Sequence, residues 1–428
     1  MSDLPQAAAP AALETSLRYA PQGRALKVFL LAGELSGDRL GAAAMAGLRQ
    51  LAPNVEFAGV GGPLMQAEGL TSLFPMDELS VMGIAEVLPK YRSLLRRMHE
   101  TAEAVIRFQP DVLLTIDSPD FCLRVAREVK RRRPSQHVCH YVAPSVWAWR
   151  PGRAAKMARQ VDQVLCLLPF EPPYMQAAGM RADFVGHPVV SEPRASAEEV
   201  ASFRASEGIG AAPILLVLPG SRRGEVARLL PRFGQAIAPI LQARPDLRVV
   251  VPTVAPVAEA VLAGTRDWPG RPVVLDPRGL SSHEATARKR AAFAAAGQRL
   301  PQAPGAALAA SGTVSLELAA NLVPMVVAYD MAWLSWQIMS RLARVDTVTL
   351  VNLVSGSKVV PEFLGPACQP GPVGAALSAL LSAPEAAEAQ ITAMQQTMIA
   401  LGEGGAPPGL RAAEAVLAGW AEKQIARG

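Results

Sequence analysis

Leu216–Val226 reads LVLPGSRRGEV, and the reading of this stretch decides the fold. Aliphatic residues of the kind that fill a buried strand stop at Pro219-Gly220, and a helical pattern begins after Ser221-Arg222. Strand, glycine turn and helix N-terminus thus follow one another directly. A glycine lets a ligand approach the backbone, a helix N-terminus offers amide hydrogens, and an arginine fork grips phosphate oxygens. Gly220, Ser221, Arg222 and Glu225 are accordingly candidate contacts for a nucleotide diphosphate. The same residues also suit an ordinary β-turn with an exposed arginine.

The unit recurs along the chain. Leu26–Leu31 is a strand-like run that ends in AGELSGD and leads into a helical pattern from about Asp38 to Gln50. Val55–Gly62 and Asp111–Phe121 repeat the arrangement, and further strands read at His137–Val142 and Val161–Leu167. A second series starts at Pro213 with ILLVLPGSRRGE and continues through LRVVVPT, RPVVLD, AALAASGTVSLE and VPMVVAY. Continuously apolar strands alternating with helices indicate parallel sheets covered on both faces. The fold class is α/β, with two doubly wound domains facing across a cleft, where ligands of such sheets are expected. Residues 1–24 read as a loose tail, 25–190 as the first domain, 191–370 as the second, and 371–428 as a helical segment packing on the first domain or on a partner subunit.

The composition agrees with this division. A chain of 428 residues suits two α/β domains of roughly 150–200 residues each. Half of the residues are hydrophobic, which supplies two cores and excludes a disordered chain. The net charge of +5 favours an anionic ligand or membrane surface and is too small to point to nucleic acid. Cys122, Cys139, Cys166 and Cys368 lie far apart and show no zinc-type spacing, so neither a metal site nor a disulfide framework is expected. The span 324–343 contains Asp330, Gln337 and Arg341 and is not read as membrane-spanning. The chain reads as a soluble, cytoplasmic protein.

Ala309–Ala319, AASGTVSLELA, is a second anion-ready turn, in which Ser311 or Thr313 caps a helix, Gly312 admits the ligand and Glu317 reaches ribose hydroxyls. No GxxxxGK[ST] or GxGxxG occurs, which disfavours an ATPase or a nicotinamide enzyme. In the first half, AGELSGD and TIDSPDF place carboxylates just after strands. Asp117 follows the VLLTI strand directly and is the candidate general base, with Glu34 positioning substrate and Asp120 read as a helix cap. Ser36, Trp147 and Arg150 are further candidate ligand contacts; the last two lie in the Pro-bearing HYVAPSVWAWRPGR segment, which suits stacking on a sugar or gripping a phosphate, while loop tryptophans serve at least as often as packing anchors. Between Ser80 and Phe108, apolar Met82, Ile84 and Leu88 mix with basic Arg96 and Arg97, as at the interface of an anionic bilayer. An amphipathic core helix with a solvated basic face explains that pattern equally well.

The blocks AGELSGDRLGA, GVGGPLMQAEG, VMGIAEVLPKY, IDSPDF, HYVAPSVWAWR, LPFE, GHP, LPGSRRGEV, SGTVSLE and PMVVAY run in order through residues 26–365. Together they resemble the lipid-A-disaccharide synthases, glycosyltransferase family 19. The resemblance implies an inverting, metal-independent GT-B enzyme of two Rossmann-like domains, without a cofactor, bound peripherally to the inner membrane of a Gram-negative bacterium. It implies transfer of 2,3-diacylglucosamine from UDP-2,3-diacylglucosamine to the 6-hydroxyl of 2,3-diacylglucosamine 1-phosphate, lipid X. By position it makes Asp117 the base, Glu34 the positioning glutamate, Arg222 the UDP-binding arginine and Asn352 a further donor-site residue, and it implies a homodimer. The chain departs from the family at GQRLPQAPG (297–305), which looks inserted. Two other readings remain: a different UDP-N-acetylglucosamine-dependent GT-B enzyme, and a nucleotide-sugar-binding protein without turnover.

Overall fold

The computed structural model describes residues 24–79, 84–299 and 305–426; the tail read at 1–24 lies outside these up to residue 23, as do residues 300–304 of the inserted stretch. The chain divides into two compact units: one ends at Ser191 and takes back Gly404–Gly428, and the other is Glu192–Glu403.

The first unit alternates strand and helix: β1 (Lys27–Ala32), α1 (Leu35–Leu51), β2 (Glu56–Val60), α2 (Pro63–Ala67), α3 (Ile84–Phe108), β3 (Val112–Ile116), α4 (Pro119–Arg132), β4 (His137–Tyr141), α5 (Gly152–Met157), β5 (Gln163–Cys166), α6 (Pro172–Gln176) and β6 (Arg181–Phe184). The strands pair in parallel in the order β2-β1-β3-β4-β5-β6. Every residue of β3 and β4 is buried, as expected for strands sandwiched between helical layers.

The second unit contains α7 (Ala197–Ser206), β7 (Ile214–Leu218), α8 (Arg223–Ala243), β8 (Arg248–Pro252), α9 (Ala258–Thr265), β9 (Val273–Leu275), α10 (Ser282–Gly297), β10 (Ala306–Ala309), α11 (Val314–Ala320), β11 (Met325–Tyr329), α12 (Trp333–Leu342), α13 (Leu350–Ser355), β12 (Glu362–Leu364), α14 (Pro370–Ser382) and α15 (Pro384–Ala400). Its parallel sheet has the order β12-β11-β10-β7-β8-β9. Numbered within the unit this is 3-2-1-4-5-6 read from β9, the Rossmann order, whose switch point falls between β7 and β10.

The helical segment read from Gly371 divides between the units. Helices α14 and α15 stay with the second, and α14 packs on α8. Helix α16 (Pro408–Ile425) returns to the first unit and lies along α1, adding Val416, Leu417 and Trp420 to its core. The span 324–343 resolves into β11 and α12, and among the described residues no helix is long and apolar enough to cross a membrane.

One helix boundary differs from the sequence reading. Helix α1 begins at Leu35, a turn before Asp38, and Asp38 lies inside it at 1% exposure. Its carboxylate accepts N–H bonds from Gly62 (2.9 Å), Leu64 (3.0 Å) and Met65 (3.0 Å), which fixes the start of α2. Asp38 is therefore a structural acceptor whose bonds are spent on amides.

Candidate active site

In the first unit the strand order reverses between β1 and β3, and β1 pairs with β3 so that Ala32 lies opposite Ile116. The residues that follow these two strands, Gly33-Glu34 and Asp117-Ser118, consequently meet at the switch point, where open α/β sheets bind ligands. A Cβ on Gly33 would stand 2.7 Å from Ser118 Oγ, so only glycine permits this approach. The Asp117 N–H donates to Tyr141 O (2.9 Å), and Ser36 Oγ donates to Asp117 Oδ2 (3.2 Å). Asp117 and Ser118 carry φ angles of 51° and 40°. Two successive left-handed non-glycine residues cost on the order of 1–3 kcal/mol each, and such strain clusters at functional sites. Ser118 Oγ is buried without a hydrogen-bond partner among the described residues. Asp120 does not cap α4: the N-cap is Ser118, no side chain closes it, and the Asp120 carboxylate is 99% exposed.

Glu34 and Ser118 open onto a cavity of about 390 Å³ between α3 and α4. Leu79, Tyr91, Leu94, Leu95, Met98 and Phe121 form its walls, so an apolar chamber adjoins the carboxylates. The sequence reading missed these residues, although Tyr91, Leu94, Leu95 and Met98 follow the i, i+3, i+4, i+7 stripe of a helix face. Of the basic residues read on α3, Arg97 is engaged: it bonds Glu78 (2.6 Å) and Glu100 (2.7 Å) and lies over the Phe74 ring. Arg96 is exposed. Met82 and the side chains of Ile84 and Leu88 lie outside the described residues.

Trp147 is anchored. Its indole N–H donates to Glu171 (3.3 Å) and its ring meets Phe170 edge-on at 5.1 Å. Burial pushes the Glu171 carboxyl up to about 7, against the pull of N–H donors from Leu168, Trp147 and Leu167. Arg150 is exposed and lies over its neighbour Trp149 at 4.1 Å. His137 and His140 are buried and His187 is half-buried, and loss of solvent lowers each to about 4 and keeps them neutral near pH 7. His140 shares a hydrogen bond with Thr115 (2.8 Å) and His137 with Gln163 (3.1 Å).

In the second unit both expected turns flank the switch point. Leu218 of β7 pairs with Ala309 of β10, so Gly220 and Ser311 leave adjacent strands. Gly220 has φ 103°, and a Cβ there would stand 2.6 Å from Glu225 Oε2. Glu225 occupies the turn: it accepts from the amides of Ser221 (3.2 Å) and Arg222 (3.3 Å), from Arg222 Nη1 (2.9 Å) and from the Tyr329 hydroxyl (3.2 Å). The turn amides expected to be open for phosphate thus already face a carboxylate. Arg222 remains 65% exposed at its side chain, with only one guanidinium nitrogen hydrogen-bonded to Glu225.

At the other turn neither Ser311 nor Thr313 caps α11. Thr313 occupies the N-cap with helical φ and ψ and no side-chain bond, and Ser315 Oγ donates instead to Gly312 O (2.9 Å). Gly312 and Thr313 are exposed. Glu317 pairs with Lys289 at 2.5 Å, beside a cavity of about 200 Å³ at the ends of β8 and β9 that Thr253, Val254, Leu275, Pro277 and Lys289 help to line. This cavity, too, was absent from the sequence reading. Asn352 is 2% exposed and spends its amide on Val360 O (2.9 Å), the Val360 N–H (3.1 Å) and Thr347 Oγ1 (3.2 Å). It ties α13 to the approach of β12.

Two Rossmann-like sheets, each with polar groups gathered at its switch point, define a GT-B protein. Solved structures with this fold include UDP-GlcNAc 2-epimerase from Neisseria meningitidis bound to UDP-GlcNAc (TM-score 0.55, 11% identity, 86% of this chain and 94% of that one). An Anabaena protein in complex with UDP and glucose is also similar (TM-score 0.51, 11% identity, 94% and 98% covered). Residues 28–406 match the family described as lipid-A-disaccharide synthetase. The lipid-A-disaccharide synthase of Ruegeria pomeroyi is 61% identical over 395 residues, covering 92% of this chain and 96% of the relative. That of Rhodospirillum centenum is 47% identical, covering 92% and 94%. The chain is a glycosyltransferase of GT-B fold. It belongs to the lipid-A-disaccharide synthetase family.

Proposed function

We propose that this chain transfers 2,3-diacylglucosamine from UDP-2,3-diacylglucosamine to the 6-hydroxyl of 2,3-diacylglucosamine 1-phosphate at the cytoplasmic face of the inner membrane. The observation that carries the residue roles is the strained Asp117-Ser118 pair beside Glu34, which opens onto an apolar chamber suited to an acyl chain. Asp117 takes the proton of the acceptor hydroxyl as its oxygen attacks the anomeric carbon and the bond to UDP breaks, so configuration inverts. Glu34 and Ser36 orient the acceptor, and Trp147 shapes the loop after β4 through Glu171 and Phe170. The exposed nitrogens of Arg222 and the turns at Gly220-Ser221 and Ser311-Gly312-Thr313 receive the diphosphate as negative charge grows on it. The β8–β9 cavity, flanked by Glu317, receives the nucleoside, and Asn352 acts by ordering the segment before β12. Incubation with both substrates is expected to give a species of the disaccharide 1-phosphate mass, with one UDP per product. UDP release without a new glycoside would make the chain a hydrolase.

Arg222→Ala is expected to weaken UDP binding by about 1.5–3 kcal/mol through lost charge-assisted hydrogen bonds. Calorimetry on the folded variant is the check, and an unchanged affinity removes Arg222 from the donor site. For the membrane surface, replacing Met82, Ile84 and Leu88 together by Ser is expected to lower binding to phosphatidylglycerol vesicles while UDP affinity holds. Equal sedimentation of both proteins with vesicles assigns that contact elsewhere.

A further inference from the structure

Beside the apolar chamber lies a second concavity, of about 340 Å³, between α4 and α5. Five cations, Arg124, Arg127, Arg153, Lys156 and Arg159, line it against one carboxylate, Asp120. They project from two helices at helical spacing, Arg124 and Arg127 from α4, and Arg153, Lys156 and Arg159 from α5 and the residues just after it. Asp120 pairs with Arg153 at 3.7 Å, and the side chains of Arg124, Arg127, Lys156 and Arg159 make no hydrogen bond or ion pair with any described residue. By contrast, the basic residues on the far end of α4 are neutralised: Lys130 by Asp162, Arg131 by Glu128 and Arg132 by Glu103. Like charges gathered around a hollow repel one another, and an anion held among them relieves that repulsion.

The two concavities are contiguous. Pro119, Asp120 and Arg124 line both, so an apolar chamber and a cationic groove meet at Arg124, a few residues along α4 from Asp117. An amphiphile with an acyl chain at one end and a dianionic phosphate at the other matches that surface in shape and charge, and arginine forks suit a phosphomonoester. We propose that this groove holds the anomeric phosphate of the acceptor, with Arg127 and Arg159 as specificity-determining contacts, while an acyl chain of the same molecule fills the chamber lined by Tyr91, Leu94 and Met98. The assignment rests on the acceptor named above. The 6-hydroxyl and the 1-phosphate leave different corners of the sugar ring, so a phosphate in the groove leaves the hydroxyl free to face Asp117.

The test uses the full chain carrying Arg127→Ala and Arg159→Ala, both exposed positions whose loss leaves no buried group unpaired. In detergent micelles, KM for the phosphorylated acceptor is expected to rise about tenfold or more, with kcat and the donor KM within about twofold. With 2,3-diacylglucosamine lacking the phosphate, the variant and the wild type are expected to behave alike. An unchanged KM for the phosphorylated acceptor overturns the proposal, and so does an equal loss on both acceptors. Direct binding of the phosphorylated acceptor without donor separates this from the proposed reaction: weaker binding by the variant upholds the groove even where no disaccharide forms. Weakened sedimentation with phosphatidylglycerol vesicles beside an unchanged acceptor KM assigns the groove to a bilayer headgroup and overturns the acceptor assignment.

Discussion

In Asp117→Asn, turnover falls by about 10²–10⁴, the usual contribution of a general base, while UDP affinity stays where it was. The substitution keeps the shape of the side chain and leaves an amide oxygen that still accepts from Ser36, but it removes the capacity to take a proton. The backbone has reason to stay in place: the Asp117 amide is held by Tyr141 O, and asparagine tolerates the φ of 51° as readily as aspartate does. A loss of rate is thus separable from a loss of fold. UDP affinity is insulated because the nucleotide contacts are assigned to the second unit, around Gly220 and Arg222. The measurements are steady-state turnover and UDP calorimetry on one preparation. A rate within a few-fold of wild type excludes Asp117 as the base and passes the role to Glu34, the other carboxylate at this switch point; Asp120 is 99% exposed on the first turn of α4.

What could be read from the sequence follows from how far each property reaches along the chain. VLLTI and ILLVL announce parallel strands because residues buried on both faces are apolar without interruption, and that signal is local. Glu34 and Asp117 were accessible for the same reason, since each follows such a strand. Their meeting is not local: β1 pairs directly with β3 although β2 comes between them in sequence, and only Gly33, too small to clash with Ser118, hints at the close approach. The chemistry of each carboxylate is also settled by partners distant in sequence. Asp38 resembles Asp117 in composition and setting, yet three amides from Gly62 to Met65 consume it. Glu225 lies in a motif that reads as an open phosphate cradle and instead fills the amides of its own turn. Trp147 could not be told from a sugar platform until Glu171, 24 residues on, was seen beneath it. The RVAREVKRRR run reads as an ordinary basic helix, and no count of its arginines separates the paired Lys130–Arg132 from the unpaired Arg124 and Arg127.

Removing residues 404–428 is expected to abolish the native packing of the first unit, although every strand of its sheet lies before Ser191. Helix α16 supplies Val416, Leu417 and Trp420 to that core at 0%, 1% and 7% exposure, with Ala412 and Ala413 wholly buried against α1. Burying a large apolar side chain is worth about 1.5–3 kcal/mol, so these three alone approach about 5–9 kcal/mol, comparable to the roughly 5–15 kcal/mol that holds a whole domain folded. Polar losses add to this. The Gln163 amide, fully buried in β5, donates to Ala415 O at 2.7 Å, and Lys423 donates to Gln136 O (3.1 Å) while pairing with Asp162 (2.7 Å). Arg411 donates to Phe184 O (2.8 Å) at the end of β6. Without the helix, the Gln163 amide keeps Asp183 as an acceptor but loses Ala415 O, and Phe184 O loses its Arg411 donor, each lost bond worth about 0.5–1.5 kcal/mol. Hydrogen exchange reports the outcome residue by residue: amides of β1 and β3, such as Leu30 and Leu114, lose protection in the shortened chain. Amides of β7 and β10 in the second unit, whose core is built from Leu215, Val217, Phe233 and Leu308, keep theirs. Equal protection of Leu30 and Leu114 in both chains would show that the sheet of the first unit closes its core without the returning helix.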